Sequence, residues 1–395
     1  MTDKIVLAAI LSPTLLVASC GGGTTGDSAA QSTPTPTGSA PPQSGGEIRS
    51  ESFGSFDEPW AAAFAPGTPV LFITEKPGTI KFVDTNTRRT GTVSGVPTVD
   101  YGGQGGLGEI AFLPAQSSAT LDRRTIYLSW AEAGSGDTRG AVVGRGELVC
   151  EEADACRIDG MSVIWRQTPK VTGRGHYSHR IAVSPDGRHL YIASGDRQKL
   201  TPAQDASNTL GSIVRLDLDG SPAANNPLAG RGSPSDQIWS WGHRNILGMD
   251  FDEQGRLWEV EHGPAGGDEF NLVKRGANYG WPTRSNGDHY DGRNIPDHSA
   301  DDGFAKPAVS WTPVIAPGNF VFYGGSAIPA WRGQAIIAGL KSEALVRVAV
   351  DGETAREVGR HDMGGRVRQV VEGPDGALWV LMDGEGGALR KLTAR

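Results

Sequence analysis

Residues 238–282 read IWSWGHRNILGMDFDEQGRLWEVEHGPAGGDEFNLVKRGANYGWP. Two runs in it are typical of short strands, one opening at Ile238 and one over Arg256–Glu261, and each leads into a polar or Gly-rich loop. These loops carry His243, Arg244, Asn245, Asp268 and Glu269. Because β scaffolds present functional side chains on the loops that follow strands, the stretch predicts a site carried by an all-β frame.

The chemistry of these two loops indicates an anion site and a calcium site. Arg244 offers a planar fork of N–H donors that matches a carboxylate. Asp268 and Glu269 offer hard oxygen ligands in a loop whose glycines leave backbone carbonyls exposed, which suits Ca²⁺. A polar turn with solvated charges is the alternative for the acidic loop, because short acidic Gly turns are common.

The same strand pattern recurs along the chain. Each unit is a turn, often Pro-Asp-Gly, followed by a strand with an aromatic or branched apolar pair. The units are centred on Phe72, Tyr127, Tyr191, Trp258, Ile336 and Trp379. They predict an all-β fold over residues 53–392, a six-bladed β-propeller of four-stranded antiparallel blades. A two-domain β-sandwich is the alternative, but it does not explain the recurrence.

Composition and net charge indicate the fold class and limit the kinds of partner. The chain has 395 residues, including 56 Gly and 25 Pro, which favours many short strands joined by turns. The net charge of −8 argues against a nucleic-acid partner.

The N-terminus predicts export. Residues 5–17 form an apolar run that is too short to span a bilayer, and it leads to Cys20 and a run of Gly. Residues 1–20 therefore resemble a bacterial lipoprotein signal, with an ordinary secretory signal as the alternative. Residues 21–47 are rich in Gly, Ser, Thr and Pro and predict a disordered linker. We expect a periplasmic or outer-surface protein that meets the membrane only through a lipid anchor at Cys20.

Two further cysteines, Cys150 and Cys156, have five residues between them. An exported protein meets oxidising conditions, so we expect a local disulfide. A metal-binding pair is the alternative, although no nearby His completes a zinc set.

A second group of candidates lies earlier in the chain. Gln104 lies between glycines, where the backbone can approach a ligand closely. His176 sits on a Gly-rich loop before a strand, where a neutral imidazole can serve as a general base, and Asp196 can hold that ring in one tautomer. His179 and His189 compete for the role of base. A tight Gly turn and a solvated loop His are the alternatives for these segments.

Cationic side chains accompany two of the later strands. Lys341 follows AIIAGL, and Arg366 and Arg368 alternate in RVR, which puts both on one face of a strand. Together with Arg244 they predict an anion pocket. The alternative is that each is a surface charge.

Taken together, these residues resemble the soluble pyrroloquinoline-quinone (PQQ)-dependent aldose sugar dehydrogenases, also called the glucose/sorbosone dehydrogenase family. The resemblance runs from about Phe53 to Leu392. It rests on four segments in the family order: GQGGLGEIAFLP, the stretch from His176 to Arg197, GHRN with EHGPAGGDEFNL and NYGWP, and RVRQVVEGPDGALWVLMD. The family is a six-bladed propeller, in agreement with the repeat count.

The resemblance implies roles for individual residues. His176 corresponds to the catalytic base and Asp196 to its supporting acid, while Arg244 would stabilise negative charge on the quinone oxygen. The residues that fall where the family holds PQQ are Gln104, Arg244, Asn245, Tyr290, Lys341, Arg366 and Arg368. Those that fall in its calcium-binding segment, where several ligands are backbone carbonyls, are Gly263, Pro264, Asp268, Glu269 and Tyr279.

The implied reaction is oxidation of the C1 hydroxyl of an aldose sugar to a lactone. The base takes the proton of the anomeric hydroxyl while hydride moves from the same carbon to a quinone carbonyl carbon, and an external acceptor then takes the electrons. Calcium would fix and polarise the cofactor. The resemblance leaves the preferred sugar undecided and a homodimer possible.

The chain also departs from the family pattern. Ser178 and His179 follow the base where the family usually has small residues, and His179 can crowd the sugar or share the proton. Gly108-Glu109 replaces a more apolar pair, and Trp311–Asn319 matches only loosely.

Two other functions stay open. A calcium-dependent propeller hydrolase, such as a lactonase, also uses a loop His and acidic calcium ligands, but it does not need several cations converging on an anion. A non-catalytic surface propeller that binds a partner or glycan would tolerate His176→Ala.

Overall fold

The computed structural model describes residues 47–395. The expectations for the signal segment, for Cys20 and for the linker up to residue 46 lie outside the described residues. In chain order the strands are β1 (Ile48–Phe56), β2 (Pro59–Phe64), β3 (Val70–Glu75), β4 (Thr79–Asp84), β5 (Thr90–Ser94), β6 (Leu107–Phe112), β7 (Arg123–Ala133), β8 (Arg139–Val149), β9 (Ala155–Arg166), β10 (Ser178–Val183), β11 (His189–Ser194), β12 (Ser212–Asp217), β13 (Ile238–Trp241), β14 (Ile246–Phe251), β15 (Leu257–Glu261), β16 (Ala265–Gly266), β17 (Asp268–Leu272), β18 (Gly287–Asp288), β19 (Val309–Trp311), β20 (Pro317–Phe322), β21 (Ala335–Gly339), β22 (Ala344–Asp351), β23 (Thr354–Asp362), β24 (Val367–Glu372), β25 (Leu378–Met382) and β26 (Gly387–Ala394). The short 3₁₀ helices are Pro114–Gln116, Thr201–Gln204, Ala229–Arg231, Ser235–Gln237 and Pro329–Trp331.

The fold is all-β, as the sequence predicts. Three four-stranded antiparallel sheets follow one another along the chain as β10–β13, then β14, β15, β17 and β19, then β20–β23. A fourth has the order β1-β26-β25-β24, so the first strand pairs with the last one. Because of this pairing the β unit begins at Ile48, ahead of the expected start at Phe53.

The remaining strands depart from a simple set of four-stranded sheets. Strands β2–β9 form one eight-stranded sheet, in which β5 and β9 pair in parallel through Thr92–Ser94 and Ala155–Arg157. Strands β16 and β18 form a separate two-stranded ribbon between Ala265–Gly266 and Gly287–Asp288.

The repeated sequence units fall on equivalent strands. Their central residues lie on β3, β7, β11, β15, β21 and β25, and each of these strands is hydrogen-bonded on both sides. The side chains are buried and pack between neighbouring sheets. Trp258 on β15, for example, lies 6.3 Å from Phe322 on β20 of the next sheet, centroid to centroid. The recurrence of apolar pairs therefore records the core positions of each unit.

Six strands surround one axis. Residues of β2, β6, β10, β14, β20 and β24 together line a central cavity of about 290 Å³. The Gln369 side chain closes the ring, because its Oε1 accepts from Ala62 N–H at 2.6 Å and its Nε2 donates to Ala62 O at 3.2 Å. The loops that lead into β6, β10, β14 and β24 meet at one end of this axis, where the candidate residues gather.

Two further features concern the surface of the unit. Cys150 and Cys156 form the expected local disulfide, with an S–S distance of 2.07 Å, across the turn between β8 and β9. Within residues 47–395, helices are all too short to cross a membrane.

Candidate active site

Loops at one end of the axis enclose a cleft of about 180 Å³. Four of the predicted cofactor residues line it, namely Gln104, Asn245, Arg366 and Arg368. They come from loops far apart in sequence, and each loop precedes or opens a strand next to the central axis. The cleft therefore joins the separate sequence segments into one site.

His176 and Asp196 form a buried pair beside this cleft. His176 Nδ1 lies 2.6 Å from Asp196 Oδ1, and the backbone N–H of His176 donates to Gln104 Oε1 at 2.7 Å. Asp196 Oδ2 accepts from the Trp281 indole N–H at 2.8 Å, and Asp196 Oδ1 also accepts from the backbone N–H of Gln198 at 2.8 Å. This network fixes the position of the carboxylate and, through it, the imidazole.

The loop that carries His176 is tightly folded. His176, Ser178 and His179 have φ values of 51°, 64° and 69°, a left-handed region that is uncommon for residues other than Gly. Gly195 allows the close approach, since a Cβ there would lie 2.1 Å from the carbonyl oxygen of His176. Strained backbone of this kind is frequent at functional sites.

Burial sets the protonation of the pair. It lowers the pKa of His176 below 6.5, and the positive charge of Arg244 acts in the same direction, while Asp196 partly opposes both. Burial alone would raise the pKa of Asp196, but its hydrogen bonds from His176, Gln198 and Trp281 keep that pKa below the ordinary value. At neutral pH the pair is therefore a neutral imidazole and an ionised carboxylate.

Glu261 holds the Arg244–Asn245 loop. Its Oε2 accepts the backbone N–H of Arg244 at 2.6 Å and that of Asn245 at 3.1 Å. Arg244 O in turn accepts the backbone N–H of Asp196 at 2.9 Å, which ties this loop to the His176–Asp196 pair. No local pattern in the sequence singles out Glu261, although it ends the strand of the repeated unit.

The guanidinium of Arg244 is buried and only partly satisfied. Nη1 donates to His262 O at 3.0 Å and Nη2 donates to the Tyr290 hydroxyl at 3.3 Å. Nε is buried and has no partner among residues 47–395. The group also lies 5.2 Å from the Trp281 ring centroid. A buried donor without a partner indicates that a ligand acceptor belongs here.

Arg366 and Arg368 are held together by Asp383. Arg366 Nε donates to Asp383 Oδ2 at 2.8 Å, and Arg368 Nε donates to Asp383 Oδ1 at 2.9 Å. The two arginines therefore share one face, as their alternation predicts. Asp383 was missed in the sequence, because nothing local marks it as the partner of residues more than a dozen positions earlier.

The remaining predicted cofactor residues are more exposed. Tyr290 is 77% exposed and reaches the site through its hydroxyl on Arg244. Lys341 is exposed beside Leu340, and Leu340 rather than Lys341 lines the cleft. The lysine that does line it is Lys76, which pairs with Glu58 at 3.3 Å.

Asp268 braces the predicted calcium loop. Its Oδ1 accepts the backbone N–H of Gly263 at 2.9 Å, and its Oδ2 accepts that of Ala316 at 2.6 Å. Gly263 must be Gly, since a Cβ there would lie 2.2 Å from Gly266 O. The carboxylate thus holds Gly263-Pro264 in place, with each oxygen already engaged by an N–H group.

Glu269 and Tyr279 meet Gly263 at a small cavity. These three residues and Glu261 line a space of about 10 Å³, roughly the size needed for one water or ion. The Tyr279 hydroxyl is occupied elsewhere, because it donates to Leu272 O at 2.6 Å and accepts from Lys274 N–H at 2.9 Å. Only its backbone carbonyl is left to act as a ligand.

Two acidic side chains and one imidazole lie close together beside this cavity. His243, Glu259 and Glu261 place ligand-type atoms within 4.8 Å of one another, all buried. Both ring nitrogens of His243 are engaged, Nδ1 with Glu261 at 3.2 Å and Nε2 with the Ser240 hydroxyl at 2.9 Å. Burial alone would lower the pKa of His243, but Glu259 and Glu261 raise it to about 9. The two glutamates therefore favour the protonated form of His243.

Comparison with known proteins agrees with this geometry. The family described as Glucose / Sorbosone dehydrogenase matches residues 56–391. Aldose sugar dehydrogenase YliI of Escherichia coli (strain K12) is 35% identical over 346 residues, which cover 86% of this chain and 91% of that protein.

Solved structures give the same result for the fold. The soluble aldose sugar dehydrogenase from Escherichia coli in the apo-form superposes with a TM-score of 0.81 at 33% identity, covering 88% of this chain and 100% of that chain. The PQQ-bound form of the aldose sugar dehydrogenase from Streptomyces coelicolor superposes with a TM-score of 0.71 at 26% identity, covering 90% and 99%. The family predicted from the sequence motifs is confirmed, and the chain belongs to the glucose/sorbosone dehydrogenase family.

Proposed function

We propose that this protein is a PQQ-dependent aldose sugar dehydrogenase that oxidises the C1 hydroxyl of aldose sugars to lactones. The observation that carries the proposal is the buried His176–Asp196 pair beside Arg244, at a cleft lined by Arg366 and Arg368. A general base next to several cations suits proton removal from a sugar beside an anionic cofactor.

The residues of the cleft suit a quinone with several carboxylates. Arg366 and Arg368 offer charged N–H donors, and Gln104 and Asn245 add neutral ones. The Nε of Arg244 is a buried donor without a protein partner in residues 47–395, so it is available to an acceptor on the cofactor. Lys341 and Tyr290 would reach the cofactor from the rim. A hydrolase has no evident use for this many cations.

PQQ, when bound, supplies the two-electron oxidant that takes up the hydride. His176 donates its Nδ1–H to Asp196, which leaves Nε2 to accept the proton of the anomeric hydroxyl. Arg244 would stabilise negative charge on the quinone oxygen by hydrogen bonding, because its guanidinium is held in place by His262 O and the Tyr290 hydroxyl. Asp196 stays ionised and favours the imidazolium that forms.

Calcium is the second proposed cofactor. Its ligands would be the carbonyls of Gly263, Pro264 and Tyr279 and the carboxylate of Glu269, with Asp268 at the same loop. Glu259 Oε2 and Asn271 Oδ1 are buried acceptors without a hydrogen-bond partner in the described part of the chain. An excess of buried oxygen acceptors is a chemistry that Ca²⁺ satisfies.

We also propose that the fold is a propeller of six four-stranded blades. Strands β2–β5 and β6–β9 are each antiparallel, and the one strand pairing between the two sets in the described residues is the three-residue parallel pairing of β5 with β9. Counted as two units, they make six four-stranded blades with the other four sheets. The six strands around the central cavity support this count.

The location of the protein is also a proposal. The apolar segment, Cys20 and the Gly/Ser/Thr/Pro stretch support an exported lipoprotein, periplasmic or on the outer surface, with a domain tethered to its lipid. One acyl chain gives only marginal membrane binding, so stable anchoring needs more than one.

Reconstitution tests the function. The purified protein would be incubated with PQQ and Ca²⁺, and reduction of a dye by a panel of aldoses would be followed. Dye reduction that requires both quinone and sugar supports the proposal. Hydrolysis of a lactone panel without quinone would support the hydrolase, and the absence of both activities would support the binding propeller.

A further inference from the structure

His179 lies on the wall of the cleft, yet both of its ring nitrogens are without a hydrogen-bond partner among residues 47–395. The side chain is only 2% exposed. A neutral imidazole has one N–H to donate and one nitrogen with which to accept, and a buried polar atom left unpaired is destabilising. The missing partner is therefore to be sought in a molecule that enters the cleft.

The ring is held firmly in a stack of side chains. It is nearly parallel to the Tyr177 ring at 5.2 Å and nearly perpendicular to the Trp60 ring at 5.6 Å, centroid to centroid. The stack is closed at each end by a guanidinium, Arg197 at 3.7 Å from the Tyr177 ring and Arg180 at 4.0 Å from the Trp60 ring. A ring positioned this way is preorganised to meet a ligand at low entropic cost.

Gly108 makes room for this ring. A Cβ at position 108 would lie 2.6 Å from Ser129 Oγ and 2.7 Å from both Cβ and Cγ of His179, which is closer than real side chains approach. The two departures from the family pattern, at Gly108 and at His179, therefore face each other in space. His179 on β10 carries the large side chain, and Gly108 on β6 leaves the space next to it.

The ring offers a hydrogen bond rather than a charge. Burial lowers the pKa of His179 to about 3, and Arg197 and Arg180 act in the same direction. It also lacks the carboxylate partner that His176 has in Asp196. His176 is therefore the base, and His179 is a neutral donor and acceptor beside it.

We propose that His179 is a cofactor-contacting residue, in which one ring nitrogen donates its N–H to a carbonyl or carboxylate oxygen of PQQ. The inference rests on the proposed function, and it names one more residue of the quinone subsite. His179 shares the cleft with Gln104, Arg366 and Arg368, which favours the cofactor over the sugar as its partner.

The test is a titration of the full protein with PQQ in the presence of Ca²⁺, followed by tryptophan fluorescence and by the absorption spectrum of the bound quinone. His179→Phe keeps a planar ring and removes both polar atoms, so we expect quinone binding about fivefold weaker and a shifted spectrum. His179→Asn keeps a donor and an acceptor and should bind within about twofold of wild type. His189→Phe is the matched control, since His189 pairs with Asp217 on β11–β12 outside the cleft, and it should change nothing.

A second pair of variants tests the space around the ring. Gly108→Ala should displace His179 and weaken quinone binding as His179→Phe does. Adding His179→Gly to Gly108→Ala removes the contact with His179 and leaves the contact with Ser129 Oγ, so the double variant should recover part of the stability that Gly108→Ala loses. Such non-additivity is expected for residues that contact each other or share a network, and not for distant ones.

The outcomes separate this inference from the proposed function. If the wild-type protein does not bind quinone, the proposed function fails and the inference falls with it. If the wild type binds quinone and His179→Phe binds it equally tightly with the same spectrum, the role of His179 is refuted while the function stands. Should the Phe variant not fold, His179→Met removes the same polar atoms on an adaptable side chain and is judged by the same criteria.

Discussion

His176 Nδ1 lies 2.6 Å from Asp196 Oδ1, and both side chains are buried. Because the pKa of Asp196 is held below its ordinary value, the carboxylate can only accept, so the proton of this hydrogen bond belongs to Nδ1. The tautomer that follows has its free lone pair on Nε2. One contact thus decides which atom of the ring can take a proton from a substrate.

Removing the base should slow turnover without removing the cofactor. A positioned general base contributes about 10²–10⁴-fold, so His176→Ala should lose that much in kcat while quinone affinity stays close to wild type. Stopped-flow reduction and a quinone titration measure the two separately. His189→Ala serves as the control. Full activity of His176→Ala would show that the wrong histidine has been named.

The acid limb of the pH profile should lie below pH 6.5. The base works only when neutral, and burial lowers the pKa of His176, so kcat/KM should stay level as pH falls through 6.5 and drop only below it. Asp196→Asn removes an interaction that raises this pKa, so its limb should move lower still while its rate falls. A limb at or above pH 6.5 in the wild type contradicts the assignment.

Asp383 should affect quinone binding although its own side chain is negatively charged and acts only through Arg366 and Arg368. It positions Arg366 and Arg368, so Asp383→Asn should weaken quinone binding by about tenfold or more, in the range of one lost charge-assisted hydrogen bond. Binding titration measures the loss. Glu357→Gln is the control, because Glu357 pairs with Arg360 on β23 away from the cleft. Equal binding by both variants would remove Asp383 from the site.

Removing calcium should destabilise the protein. A ligand present at about a hundred times its Kd stabilises the folded state by about 2.7 kcal/mol, so a chelator should lower the Tm and the activity together. Glu269→Gln should need more Ca²⁺ for the same Tm, whereas Glu151→Gln, an exposed partner of Arg157, should not. A Tm that ignores the chelator, with no metal found by elemental analysis, would contradict the calcium proposal.

Cys20 should determine the membrane association. Cys20→Ser removes the proposed lipid attachment site, so the protein should move from the membrane fraction to the soluble fraction after cell breakage. Fractionation followed by immunoblotting measures the shift, and Cys150→Ser with Cys156→Ser is the control for loss of cysteine itself. Unchanged membrane association of Cys20→Ser would refute the anchor.

Local patterns in the sequence were enough for the fold class and the family. Apolar pairs recur on β3, β7, β11, β15, β21 and β25 because each such strand is covered on both faces. The segments with His176, with Arg244-Asn245 and with Arg366 and Arg368 are short, so chain connectivity alone keeps their members together. The same holds for the disulfide between Cys150 and Cys156.

Only the tertiary structure decided which distant residues share the site. Lys76 lines the cleft whereas Lys341 stays exposed beside it, and no spacing in the sequence separates the two lysines. Gly108 faces His179, and Asp383 joins Arg366 to Arg368. Both contacts join segments that are distant in the sequence. The physical reason is ring closure, in which the Gln369 side chain meets Ala62 across 307 positions of sequence. A local pattern can say that a side chain faces the axis, but only the closed ring determines what it meets there.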